Sequence, residues 1–245
     1  MTAFPGFELN RPARVYTALA GIFLTALVVA EATASKFFTL FALPVPVTLL
    51  GQSFDAVVMT AGVIAFPVTF IVTDLINEYF GQKGIRFVTL LGVAMILFEF
   101  VLFQIGLATK AASFSPVSDE AFQTVFGSSS RVIFGSLVAY LAGQFIDIGL
   151  FHVLRRATQG RHLWLRATGS TIGSQFFDTF FVLIVAFWGK QTFAAIVAIT
   201  LFNYAYKVVI AIVITPLIYA AHAAIDRYLG PELAERLEAA AEVAG

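Results

Sequence analysis

Long apolar segments alternate with short polar ones along most of this chain. Six segments hold about 20 or more mostly apolar residues, at roughly 15–34, 57–80, 86–109, 131–154, 167–189 and 192–224. An α-helix rises about 1.5 Å per residue, so about 20 residues cross the hydrocarbon core of a bilayer. The pattern therefore predicts an all-α integral membrane protein, a bundle of six transmembrane helices that forms a single domain over 1–245.

The segments between these passages carry their own signals. Pro44 and Pro46 interrupt the apolar stretch at 37–55, so we expect a short or re-entrant hairpin between the first two helices. Residues 118–127 predict a short interfacial helix, and Thr215-Pro216 offers the sixth passage a place to kink. The acidic segment 225–245 predicts a cytoplasmic helical tail.

Composition narrows the class of protein further. Hydrophobic residues make up 59% of the chain and charged residues 12%, about half the charged share of a soluble domain. The zero net charge gives no sign of a nucleic-acid partner, and the lack of cysteine excludes thiolate catalysis. The sequence has no phosphate-binding glycine loop, no intramembrane protease motif and no metal-binding cluster. We therefore expect a lipid-embedded protein that is not an enzyme and holds no cofactor or metal.

The positive charges predict the orientation of the bundle. With the N-terminus inside, ten Lys and Arg residues lie in cytoplasmic segments and four in external ones. Positive residues favour the cytoplasmic side of a membrane, so both termini are predicted to be cytoplasmic. An even number of helices agrees with this arrangement.

Seven ionisable residues nevertheless fall inside the six passages: Glu31, Asp74, Glu78, Glu99, Asp147, Asp178 and Lys207. Each costs about 2.5–3.5 kcal/mol at the middle of a bilayer, so these side chains must face one another, face water or be protonated. Asp178 and Lys207 lie near the middle of their passages, where transporters place their substrate site. Alternatively, the two could form a buried ion pair that only fixes helix packing.

Helical spacing gathers the polar residues onto shared faces. Four passages each carry an amide and a charge three or four residues apart, which puts both on one side of a helix. These groups are Asp74, Asn77 and Glu78; Gln144 and Asp147; Gln175 and Asp178; and Asn203 and Lys207. The sequence therefore predicts a polar interior that binds a ligand or an ion. The three histidines, His152, His162 and His222, lie at or near the cytoplasmic helix ends, where we expect solvated roles.

Four segments resemble one known family, the queuosine precursor transporters, also called the vitamin-uptake-transporter-like family. They are "FPVTFIVTDLINEYFG" (66–81), "VFGSSSRVIFGSLVAYLAGQFID" (125–147), "WLRATGSTIGSQFFDTFFVLIVAFWG" (164–189) and "NYAYKVVIAIVITPLIY" (203–219). One small departure is "RAT" at 166–168, where the family usually follows the Arg with Asn. The resemblance implies import of 7-deazaguanines such as preQ0 and preQ1 across a bacterial inner membrane, for the tRNA modification queuosine.

The resemblance and the residue chemistry together suggest two sets of site residues. The substrate set is Asp178, Gln175, Asp147, Gln144, Lys207, Asn203, Tyr206, Asn77 and Phe177, and the gate or proton set is Asp74, Glu78 and Glu31. The partners expected are a small-molecule base and the lipid bilayer, and a homo-oligomer stays open. The alternative function is a substrate-binding membrane subunit that depends on a separate ATPase.

Overall fold

The computed structural model describes residues 10–127, 130–158, 175–176, 178–185 and 187–243, and these residues are mostly helical. Helix α1 spans Arg11–Thr33. The side chain of Asn10 caps its start by accepting a hydrogen bond from the N–H of Ala13, and Pro12 lies in the first turn. Both features are typical of a helix N-terminus.

The segment after α1 forms a β-hairpin. Strand β1 (Phe37–Leu49) pairs antiparallel with strand β2 (Gln52–Thr60). Leu50 and Gly51 connect them with φ angles of 50° and 81°, as a tight two-residue hairpin turn requires. The register shifts between Ala42 and Val47, on either side of the two prolines, which have no N–H to donate to the ladder.

This hairpin changes the start of the second predicted passage. Residues 57–60 belong to β2, Ala61–Ala65 form a 3-10 turn, and helix α2 begins at Phe66, with Pro67 in its first turn. The passage was predicted to begin at about 57 because a short apolar run gives the same signal in a strand as in a buried helix. Here Val57 and Met59 are buried against Phe66 and Phe70 instead of facing lipid.

Helix α2 spans Phe66–Ala108 in two halves that meet at a kink at Gly81, where the backbone is not helical. The second and third predicted passages are its two halves. Gly81 has φ 63° and ψ −167°, a combination that is essentially limited to glycine. A β-carbon at Gly81 would also lie 2.9 Å from the carbonyl oxygen of Ala241.

Six further helical pieces complete the described chain. They are α3 (Asp119–Phe126), α4 (Ser130–Ala157), a helical piece at 175–176 and 178–185 that we call the Asp178 helix, α5 (Phe193–Val213), α6 (Thr215–Leu229) and α7 (Pro231–Val243). Ser118 caps α3 by accepting a hydrogen bond from the N–H of Ala121. The sixth passage divides at Ile214, next to the predicted Thr215-Pro216 kink.

The C-terminal helix α7 packs on the rest of the molecule. Ala234 and Ala241 are buried, and Leu233 and Leu237 pack beside the largest core cluster. That core is formed by α1 and α2 around Phe23, Ile76 and Tyr79. The spacing of the small and apolar residues in α7 gives it one apolar face among its acids, so it is not a freely solvated tail.

Among the described residues, three stretches are long and apolar enough to cross a membrane: Arg11–Thr33, Ala61–Ala108 and Phe193–Val213. Many large apolar side chains on these helices are exposed, Phe98 and Ile105 among them. An exposed apolar surface of this extent fits contact with lipid. The chain thus has the mostly helical architecture of a membrane protein, while the count of six and the cytoplasmic termini stay predictions.

The kink provides a test of the fold. Gly81→Ala should destabilise the protein by about 1–3 kcal/mol, because alanine is strained at this backbone conformation and its methyl group would press on Ala241. Thermal unfolding of the detergent-solubilised protein measures the effect. Gly21→Ala is the matched control, since Gly21 lies in α1 with nothing within 4 Å of an added β-carbon. Equal melting temperatures for the two variants would contradict this account of the kink.

Candidate functional site

A cavity of about 190 Å³ lies between α1, the 3-10 turn, α2, the Asp178 helix and α5. We call it the Asp178 cavity. Phe23, Phe66 and Phe70 contribute aromatic walls. The polar residues that line it are Glu31, Thr60, Thr69, Thr73, Gln175, Asp178, Thr179, Asn203 and Lys207. An apolar enclosure with a few convergent polar groups is the usual form of a small-molecule site.

Lys207 is the centre of the polar wall. Its ammonium group donates to the side-chain oxygen of Gln175 at 2.6 Å and to the Asp178 carboxylate at 3.1 Å. Gln175 and Asp178 are three residues apart on one helix, so they lie on the same face and reach Lys207 together. The side chains of Lys207 and Asp178 are only 14% and 16% exposed. Opposite charges in contact lower the cost of burying both.

Two further contacts fix this ion pair in place. The ammonium group of Lys207 lies 5.2 Å from the centroid of the Phe66 ring, within the range of a cation–π interaction. On the other side, Gly143 of α4 meets Asp178 so closely that a β-carbon there would lie 2.7 Å from the Asp178 β-carbon. Because glycine has no side chain, α4 can approach the site closely at Gly143.

The other predicted substrate residues are distributed unevenly. Asn203 lines the cavity and is buried, with its amide group donating to the carbonyl of Ile199 at 2.7 Å. Tyr206 packs against the cluster around Phe66 and Phe70 and does not line the cavity. Asn77 is buried away from it. Phe177, and the side chains of Gln144 and Asp147, lie outside the part of the chain that the structure describes.

Sequence reasoning did not single out the threonines of this cavity. The hydroxyl of Thr179 is buried and has no hydrogen-bond partner among the described residues. It follows Asp178 directly, and this "DT" pair is the only sequence signal that could have drawn attention to it. Thr69 and Thr73 line the same cavity from α2, but each hydroxyl bonds to a backbone carbonyl of its own helix. Thr179 is thus a candidate hydrogen-bonding group for a ligand.

A second polar cluster joins α2 to α6. The ring of His222 lies 3.4 Å from the Asp74 carboxylate and 3.2 Å from the Tyr79 hydroxyl. That hydroxyl donates to the carboxylate of Asp226 at 2.6 Å. His222 is only 8% exposed, so the expectation of a solvated histidine is wrong for this residue. A position near a helix end did not imply exposure, because the packing of α6 against α2 covers the ring.

The predicted gate or proton set is divided between two places. Asp74 and Glu78 are both buried in α2, and neither lines the Asp178 cavity. Asp74 contacts His222, and Glu78 lies one turn further along the helix. Glu31 does line that cavity, from α1. The structure therefore brings Glu31 to the proposed substrate residues, whereas Asp74 and Glu78 lie apart from those residues.

Comparisons with known proteins place the chain in a family. The family model "Putative vitamin uptake transporter" matches residues 60–221. A "Probable queuosine precursor transporter" of Bacillus subtilis (strain 168) is 35% identical over 163 residues, 66% of this chain and 71% of the relative. The "Queuosine precursor transporter" of Escherichia coli (strain K12) is 30% identical over 172 residues, 69% of this chain and 72% of the relative. No solved structure matches the chain.

The matched segment begins at the end of β2 and runs into α6, so it includes Asp178, Lys207 and most of the cavity wall. Both relatives are named as transporters and not as enzymes. The chain belongs to the vitamin uptake transporter family.

Proposed function

We propose that this protein imports queuosine precursors, 7-deazaguanines such as preQ0 and preQ1, across a bacterial inner membrane. The observation that carries the proposal is the mostly buried contact of Lys207 with Asp178 and Gln175 in the wall of the Asp178 cavity. The names of the relatives support the same class of cargo. They give no support to the alternative of an ATPase-dependent binding subunit.

The size of the Asp178 cavity suits a single fused-ring base. Drug-sized ligands occupy pockets of about 300–1,000 Å³, and this cavity holds about 190 Å³. The aromatic rings of Phe23, Phe66 and Phe70 can cover the flat faces of such a base. Aromatic rings beside a cluster of hydrogen-bonding groups around Asp178 favour a planar ligand with polar groups along an edge.

The polar wall is complementary to the guanine-like edge. That edge presents a ring N–H beside an exocyclic amino group, and one carboxylate can accept both donors at once. Asp178 is the carboxylate placed for this role. The ring carbonyl next to the N–H requires a donor, which Lys207 or the amide of Gln175 supplies. Thr179 is one residue away and adds a hydroxyl that can donate or accept.

Lys207 has a separate role when no substrate is bound. It neutralises Asp178, so the site can exist in the membrane without an unpaired charge. A base that binds both oxygens of Asp178 competes there with Lys207, which already donates to one of them. Binding therefore exchanges one set of charge-assisted hydrogen bonds for another, which keeps the affinity moderate and lets the substrate leave on the other side.

The His222 cluster is our candidate for the inner gate. Asp74 is the residue after Thr73, which lines the cavity, and its carboxylate contacts His222 of α6. Movement of this turn of α2 therefore acts directly on the contact between α2 and α6. In the predicted orientation this part of α2, just before the Gly81 kink, faces the cytoplasm, where an inward-opening gate belongs.

Asp178→Asn tests the substrate site. We expect uptake of labelled preQ0 to fall about 10- to 100-fold, because an amide accepts only part of the donor pair and removes the charge. The assay uses bacterial cells that cannot make queuosine precursors and reads both the label and the queuosine content of tRNA. Asp55→Asn, at an exposed position in β2, is the matched control. If Asp178→Asn reaches normal levels in the membrane and takes up preQ0 as fast as the wild type, Asp178 serves only in helix packing.

Gly143→Ala tests the close approach of α4 to the site. A methyl group at this position would collide with Asp178, so we expect a weaker apparent affinity for preQ0. Gly149→Ala, in the same helix with nothing within 4 Å of the added carbon, should behave like the wild type. The concentration dependence of uptake separates the two variants, and identical curves would show that α4 does not constrain Asp178.

Asp74→Asn tests the gate, and Glu78→Gln extends the test to the next turn of α2. Neither residue lines the Asp178 cavity, so binding of preQ0 to purified protein should persist while uptake falls. Binding is measured by calorimetry in detergent and uptake in cells. Glu232→Gln, at an exposed position in α7, is the control. Full uptake by both variants would remove these acids from the gate.

A further inference from the structure

A second, smaller cavity of about 40 Å³ contains a carboxylate that the proposed substrate site does not use. We call it the Glu99 cavity. It is lined by Glu31, Ser35, Glu99, Phe103 and Phe126, together with apolar neighbours. Glu99 is only 8% exposed, and neither of its carboxylate oxygens has a hydrogen-bond partner among the described residues. A buried acid without a partner calls for an occupant or a proton.

The chemistry of the cavity selects the proton. An ionised carboxylate held away from water and partners carries a large desolvation cost, which a bound proton removes. A hard metal cation instead needs about six oxygen ligands, whereas the polar side chains here are Glu31, Glu99 and Ser35. Among the described residues, no group of three or more acids and histidines could hold a metal. The volume admits roughly two or three water molecules, enough to deliver a proton.

Glu31 connects this cavity to the Asp178 cavity. It lines both spaces, as does Ile96. The negative charge of Glu31 also acts on Glu99, and these two are the titratable groups among the described lining residues. Like charges that line one small cavity disfavour each other, so a proton on one carboxylate relieves both. A change in the Asp178 cavity that moves Glu31 therefore changes how firmly the proton is held.

Aromatic rings close the Glu99 cavity on the side of α3. The Phe126 ring lies 4.4 Å from that of Phe103 and 4.8 Å from that of Phe122, measured between centroids. Val125 and Phe126 both line the cavity, so the amphipathic α3 covers it. In the predicted orientation α3 lies at the external face. The Glu99 cavity then lies beneath the outer surface, on the side from which an imported substrate arrives.

We propose that Glu99, together with Glu31, forms a proton-binding site that couples proton entry to substrate import. The inference rests on the proposed transport of 7-deazaguanines and adds the coupling ion to it. An outer proton binds to the carboxylate of Glu99, and the same proton is released inside after the base has left. One proton and one base cross together, and neither is chemically changed.

The test uses purified full-length protein in liposomes and preQ0, a base with no net charge. Potassium is present at equal concentration on both sides, and the potassium carrier valinomycin then holds the membrane potential at zero. The exterior is made one pH unit more acidic than the interior, which supports at most about tenfold accumulation for one proton per base. Exchange of labelled for unlabelled preQ0 at equal pH is measured in parallel, because exchange needs no net proton movement.

We expect the wild type to accumulate preQ0 severalfold under the gradient and Glu99→Gln to lose this accumulation while exchange persists. Persistence of exchange also shows that the variant is folded. Glu99→Asp, which keeps the titratable group, should restore part of the accumulation. Glu120→Gln, at an exposed position in the adjacent α3, is the matched control and should accumulate like the wild type.

Three outcomes would contradict one of the two proposals. Exchange by the wild type without any response to the pH gradient would overturn proton coupling and leave the proposed transport intact. Accumulation that persists in Glu99→Gln, or that requires sodium in place of choline, would overturn the role of this site. Absence of wild-type exchange would instead contradict 7-deazaguanine transport itself.

Discussion

A charge inside a bilayer must have a partner, and this requirement organises the structure around Lys207. Its contacts with Gln175 and Asp178 hold α5 against the Asp178 helix. Gly143 then brings α4 against the same carboxylate, and Phe66 of α2 lies beside the ammonium group. Helices in a membrane have little hydrophobic reason to associate, because lipid is as apolar as leucine. Polar contacts and close backbone approaches therefore determine which helices meet here.

The same requirement explains why the polar residues are the informative part of the sequence. The exposed Phe, Val and Ile side chains can be exchanged for one another with little effect, since each only has to be apolar. Asp178 and Lys207 could be singled out because their insertion cost had to be offset by contact, and the structure places them in contact. Gln175, one turn before Asp178, could be found by helical spacing alone, and its side-chain oxygen accepts a hydrogen bond from the same lysine.

Other features depend on tertiary contacts that spacing does not reveal. Residues 57–60, the end of β2, were predicted to begin a membrane helix, because a short apolar run gives the same local pattern in a strand as in a helix, and only their pairing with β1 distinguishes the two. His222 looked solvated because it is near a helix end, yet α2 covers it and Asp74 binds it. Glu99 could be counted among the membrane acids, but that no described residue bonds its carboxylate depends on what α1 and α3 bring to its cavity.

Helix α2 is the element that these sites have in common. Phe70 and Thr73 line the Asp178 cavity, Asp74 contacts His222, and Glu99 lies on the other side of the Gly81 kink. Since backbone hydrogen bonds make each half of a helix nearly rigid, the turn at Thr73 and the turn at Asp74 must move together. A ligand that displaces the cavity wall at Thr73 would thus act on the α2–α6 contact without any intermediate element. The non-helical backbone at Gly81 interrupts the helix, so the proposed gate at Asp74 and the proposed proton site at Glu99 lie on separate halves of α2.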